Sequence, residues 1–221
     1  MKTSKILTVL TAIATALALL TAAIAAPILC RPFYYAHIGP LKLEERTGLT
    51  GEEIKTAFDE MLDYCLGAPE FSTGVLKWSE SGKSHFTDVR VLFLLDLRVL
   101  AVSIGLLTAL AIAARWQKLR PARLLGRGFG FWAGAGLGGV FLLIGALAAL
   151  DFDRAFVVFH ALFFPGKSNW LFDPNTDQII NILPQEFFRN CAILILAILV
   201  LGCAALILFD LLSRRRPRAH T

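Results

Sequence analysis

Four long apolar runs decide what this chain can fold into. Ile6 to Cys30 holds 25 residues without a charge, Gly128 to Leu150 holds 23, and Asn190 to Phe209 holds 20. A second run, Val91 to Ala114, is broken only near its start by Asp96 and Arg98. Lipid offers the backbone no hydrogen-bond partner, so a segment of about 20 apolar residues crosses a bilayer as a helix. The sequence therefore predicts four membrane spans at about 6–29, 91–114, 128–150 and 190–210, in a single membrane domain covering 1–221. Asp96 and Arg98 then lie close to the interface or inside the bundle. Two lysines, an apolar stretch and the small-residue AAIAAP would also suit a cleaved secretory signal, but the stretch is longer than such a signal uses. Leu29 stands where a lipoprotein cysteine at position 30 would need a small residue, so an uncleaved first span is expected.

The charges are sorted by segment. The net charge is +5, yet Lys2 and Lys5, the run Arg115, Lys118, Arg120, Arg123 and Arg127, and Arg214, Arg215, Arg216 and Arg218 all fall on one side of the spans. Residues 31–90 carry 7 basic and 10 acidic side chains, and residues 151–189 carry 3 and 5. The positive-inside rule puts both termini, the loop 115–127 and the tail 211–221 in the cytoplasm, with loops 31–90 and 151–189 outside. Such sorting argues for a membrane topology and against nucleic-acid binding. The cysteines Cys30, Cys65, Cys191 and Cys203 form no CxxC or zinc-ligand spacing. A disulfide between Cys30 and Cys65 is compatible with the sequence, though nothing in it supports one.

In the first outer loop, Thr50 and Glu53 form a capping box. Ile54, Phe58, Met61, Leu62 and Cys65 give the helix that follows one apolar face, and Gly67 with Pro69 ends it. GVLKWSESGKSHF reads as two short extended pieces around a Ser-Gly turn, with helix resuming near Ser84. In the second, RAFVVFHALFF reads as an apolar helix at the interface and PGKSNWLFDPNTD as turns. The expected fold is all-α and membrane-integral: four transmembrane helices, a small extracytoplasmic domain of one amphipathic helix and a short hairpin, and an aromatic-rich second outer loop.

His37, His85 and His160 fall in the outer segments and His220 in the tail. A histidine at a helix start, as expected of His85, is kept neutral by the helix dipole, and Asp88 three residues on shares its face. An apolar setting lowers the pKa of His160 in the same direction. These three histidines are candidates for acid–base chemistry, the plain alternative being interfacial rings bonded to backbone. Ser84 beside His85 admits a serine hydrolase, but no GxSxG elbow accompanies it. No HExxH or other metal-ligand spacing appears, and the GAGLGG of the third span suits close helix packing. A non-catalytic haem or quinone carrier or a transport subunit is a further alternative.

SHFTDVRVLF, FHALFFPGKSNWLFDPNTDQIINILPQEFF and TGLTGEEIKTAFDEMLDYCLG resemble successive signatures of the bacterial lipoprotein intramolecular transacylases, whose four-span layout matches the whole chain. The resemblance implies a multi-pass acyltransferase of the bacterial cytoplasmic membrane with its active site on the outer face. It would move the sn-2 acyl chain of a diacylglyceryl-modified lipoprotein to the α-amine of the same N-terminal cysteine. It implies His85 and His160 as the two catalytic histidines. On this reading Asp88 orients His85, the general base; His160 polarises the ester carbonyl or protonates the leaving oxygen; and His37 is a supporting candidate. Phe159, Phe163 and Trp170 would touch lipid chains or anchor the interface. The partners would be diacylglyceryl lipoproteins and membrane lipids. Exchanging an ester for an amide within one molecule calls for no ATP, metal or other cofactor.

Overall fold

The computed structural model describes residues 2–213, so His220 and the arginines of the tail lie outside the described residues. Four helices are long and apolar enough to cross a membrane. They are α1 (Lys5–Leu29), α5 (Glu80–Trp116), α6 (Phe129–Leu150) and α8 (Gln185–Ser213). The short helices α2 (Arg31–Tyr35) and α3 (Leu43–Thr47) and the longer α4 (Gly51–Leu66) lie between α1 and α5, and α7 (Phe152–Phe163) follows α6. At 1.5 Å per residue the 37 residues of α5 run about 55 Å, against a hydrocarbon core of about 30 Å.

The chain divides into two compact units. The first takes its described residues from Met1–Ile24, Leu97–Ala146 and Ile195–Thr221. Its strands β1 (Lys2–Ser4) and β2 (Leu119–Pro121) form a short parallel pair. The buried Thr8 hydroxyl donates to the carbonyls of Ser4, at 3.0 Å, and Ala122, at 2.7 Å. Glycines let α6 and α8 approach closely: a Cβ at Gly134 would stand 2.7 Å from the Cys203 carbonyl oxygen, and one at Gly130 3.1 Å from that of Leu206. Within the GAGLGG run it is Gly134 and Gly138 that serve packing, a Cβ at Gly138 standing 3.3 Å from the Cys203 Cβ. Asp210, also buried, accepts from the Gly128 amide at 2.9 Å.

The second unit, Ala25–Asp96 with Leu147–Leu194, holds the polar chemistry. The Thr50–Glu53 capping box opens α4, whose Ile54, Ala57, Phe58, Met61, Leu62 and Cys65 are buried. Tyr34 stacks on Phe58 with centroids 3.7 Å apart, and its hydroxyl donates to the Ile182 carbonyl at 2.9 Å. That bond ties the segment after α7 to the first connection. Cys30 and Cys65 are free thiols, and burial pushes the Cys65 thiol up to about 12.

The hairpin expected over residues 74–86 does not form. Residues 74–76 make a turn and α5 begins at Glu80, taking in the Ser81–Gly82 pair of the expected turn. The cause lies far along the chain. Asp177, itself buried, accepts from both the amide and the hydroxyl of Ser79, at 2.8 and 2.9 Å. The Ser79 hydroxyl in turn lies 3.0 Å from the Gly82 amide that donates to it. An N-cap oxygen satisfying an orphan amide is what starts a helix. Gly82 is needed there because a Cβ would fall 2.1 Å from Asp177 Oδ1.

Candidate active site

The early start of α5 changes the setting of His85. It stands a full turn inside the helix, beyond the reach of the terminal dipole that was expected to act on it. What holds it is packing. Its ring is 6% exposed, in contact with Phe86, Phe164 and Phe172 at centroid distances of 5.9, 4.9 and 5.4 Å.

Asp151 caps α7 by accepting from the Arg154 amide at 2.9 Å, and Gly166, with φ +73°, follows its end. The spacing Phe156, His160, Phe164 then puts three rings on one face of the chain. His160 is 6% exposed, 4.4 Å from Phe156 and 5.6 Å from Phe164, and stacked on Trp170 at 4.4 Å. The two histidine rings come together, centroids 5.8 Å apart and tilted by 30°.

Their hydrogen bonding differs. His160 Nδ1 lies 2.8 Å from the Phe156 carbonyl oxygen, which can only accept. The neutral ring therefore carries its proton on Nδ1 and leaves the Nε2 lone pair free. Burial lowers the pKa of His160 below the ordinary histidine value, against a smaller raising effect of the bond to Phe156. His85 Nδ1 is buried with no partner among the described residues.

Asp88 does not bond to His85 as expected. Its carboxylate is taken by the Lys167 ammonium and, at 3.1 Å, by the Asn169 side-chain amide. Asn169 also donates to the exposed Ser84 hydroxyl at 3.4 Å. The Trp170 indole donates to the Lys167 carbonyl at 3.2 Å. Asp88 therefore fastens the turn after α7 to α5, and that turn carries the indole stacked on His160. His37 sits elsewhere in the unit, its Nδ1 2.6 Å from the Phe33 carbonyl oxygen and its ring against Phe33 and Phe187. Phe159 and Phe163 touch one another and are 47% and 46% exposed. Trp170 is instead half-buried against His160.

Sequence reasoning missed Phe164, Phe172, Asn169, Lys167 and Asp177. The available signal was the density of aromatic and turn residues in FFPGKSNWLFDPN. Among the described residues no group of three or more His, Cys, Asp or Glu side chains gathers as metal ligands do.

Chemically, the candidate site is a buried pair of imidazoles among aromatic rings, with His160 Nε2 able to take a proton and the His85 ring beside it. The solved structure of the membrane-integral lipoprotein intramolecular transacylase Lit from Bacillus cereus matches with a TM-score of 0.78 at 26% identity, over 95% of this chain and 96% of that one. The structure of the same protein with its H85A mutation matches with a TM-score of 0.74 at 24% identity, over 95% and 94%. No curated protein matches. The family model described as lipoprotein intramolecular transacylase Lit matches residues 9–188, and the chain thus belongs to that family, as a multi-pass membrane protein.

Proposed function

We propose that this protein moves the sn-2 acyl chain of a diacylglyceryl-modified lipoprotein to the α-amine of the same cysteine, giving the lyso-form. The observation that carries the reading is the buried pair His85–His160 with opposite hydrogen-bonding states. The amine, with a pKa near 8, attacks the ester carbonyl while His160 Nε2 accepts the proton it sheds. The imidazolium so formed returns that proton to the leaving glyceryl oxygen, and atoms and charge balance without a co-reactant. His85 donates to the oxyanion. These roles exchange those expected from sequence, because a neutral His160 bonded through Nδ1–H has no second donor for a carbonyl.

Holding amine and ester in one molecule supplies much of the rate through proximity. The exposed Phe159 and Phe163 face acyl chains, and Trp170 keeps His160 dry. The site lies on the outer face of a bacterial cytoplasmic membrane, with both termini inside, a placement that the charge sorting supports. A serine hydrolase reading has less support, since Ser84 bonds to Asn169 and, among the described residues, to no histidine.

The test is to incubate purified protein with a synthetic diacylglyceryl lipopeptide and analyse the peptide's N-terminus by mass spectrometry. An N-acyl monoacylglyceryl product is expected. Release of free fatty acid with the amine unmodified would overturn the reading.

A further inference from the structure

We propose that Asn169 receives the substrate's α-amine, its Oδ1 being a hydrogen-bond acceptor held beside the histidine pair. The inference rests on the transacylase reading and adds the group that positions the nucleophile. Its basis is the orientation of one amide. Asn169 Nδ2 lies 3.1 Å from Asp88 Oδ2 and 3.4 Å from Ser84 Oγ. The Asp88 carboxylate only accepts, so turning the amide over would set oxygen against oxygen. Oδ1 is thereby forced the other way.

There it is buried, and no partner reaches it among the described residues. A buried acceptor without a donor is costly and calls for an explanation. Few exist among the described residues: the other such atoms are His85 Nδ1, Asp96 Oδ2, Arg127 Nη1 and Asp210 Oδ2. Two of the five belong to this site. Ser84 and Asp88, which hold the Asn169 amide, flank His85 on α5, and the next residue, Trp170, stacks on His160.

The group that suits Oδ1 is therefore an N–H donor presented to both rings. In a diacylglyceryl lipopeptide the ester oxygens and the thioether sulfur only accept; of the N–H donors, the terminal amine is the one that must reach the ester carbonyl and so come to the histidine pair. Asn169 would hold the amine through one hydrogen while another faces His160 Nε2. Asn169 thus touches substrate, and Asp88 is a positioning residue acting through it.

The experiment uses the full chain and two unreactive probes, dialkyl-ether analogues of the lipopeptide, one with its α-amine and one with hydrogen in that place. Each is measured as an inhibitor of turnover of the diester lipopeptide. Wild-type protein should prefer the amine probe by about tenfold, the scale of one hydrogen bond to a charged group. Asn169→Ala should bring the ratio close to one. The double exchange Asp88→Asn with Asn169→Asp rebuilds the pairing with donor and acceptor reversed, keeps an oxygen for the amine and should restore the preference. A purely structural role would weaken both probes alike and leave the ratio intact, which overturns the proposal. So does an absent preference in the wild type, or a ratio of one in the double exchange. If the diester lipopeptide is not converted at all, the transacylase reading fails instead, and the probe ratio is then read from direct binding.

Discussion

Two helices outside the candidate spans, α4 and α7, look alike in sequence and are used in opposite ways. Both are capped at their N-termini by a side-chain oxygen, Thr50 in one and Asp151 in the other. Helix α4 turns its apolar face inward, with Ile54 and Ala57 at 0% exposure and Phe58 at 4%. In α7 the only buried residue is its one histidine, while Val157, Val158 and Leu162 are 50%, 56% and 70% exposed. An apolar face earmarks a helix for burial only when a complementary surface exists. For α4 that surface is supplied by the neighbouring aromatic residues. For α7 the exposed apolar residues fit the lipid that a membrane protein meets. One helix is packed as scaffold; the other carries His160 of the candidate pair.

Substitutions can break this division. The largest effect is expected for His160→Ala, with turnover of the diester lipopeptide per folded molecule reduced about 10²- to 10⁴-fold. Retained turnover removes His160 from the chemistry. Phe58→Ala should do the reverse. It costs about 3–5 kcal/mol in stability through loss of a buried ring, with the activity per folded molecule unchanged.

A smaller effect is expected for Gly82→Ala. The added Cβ pushes Asp177 off the capping Ser79, costing about 1–2 kcal/mol at the helix start, and amide exchange over residues 80–84 should rise. Unchanged exchange there means that the cap does not hold α5. The titration of His160 sharpens the picture further. Burial lowers its pKa, so the neutral ring persists below pH 6.5 and charges only as the pH falls further. Nitrogen shifts of labelled histidine should show the Nδ1–H tautomer at pH 6.5. Trp170→Ala, by wetting the ring, should move its titration upward. An imidazolium at pH 6.5 in the wild type contradicts the packing argument. Leu162→Ser should alter stability in detergent by less than about 0.5 kcal/mol, since its side chain is exposed. A loss matching that of Phe58→Ala would erase the contrast between the helices.

What the sequence made legible follows the range of the interactions. The four long helices were readable because span length and uniform apolarity are local properties of each run. The α4 helix was readable because its capping box lies within four residues. The pairing of His85 with His160 was reachable through resemblance, not through spacing. The start of α5 was harder to read, since its cap, Ser79, is held in place by Asp177, 98 positions away. The same range hid the partners of Asp88, for Lys167 and Asn169 are 79 and 81 positions away. A carboxylate three residues from a histidine suggests a local pair, but a distant ammonium and amide had the better geometry. The parallel pairing of β1 with β2 joins two three-residue stretches of no distinct pattern, and nothing local marks it.

The hold of Asp177 on the capping Ser79 has a consequence for anyone recombining relatives of this protein. The first turn of α5 and the turn-rich segment after α7 behave as one module despite their separation along the chain. Grafting residues 165–184 from a donor without residues 77–82 would bring an acidic cap to a helix unable to receive it. Chimeras with crossovers that move both pieces together should express and fold, whereas those splitting them should fail at the same rate whichever half is exchanged.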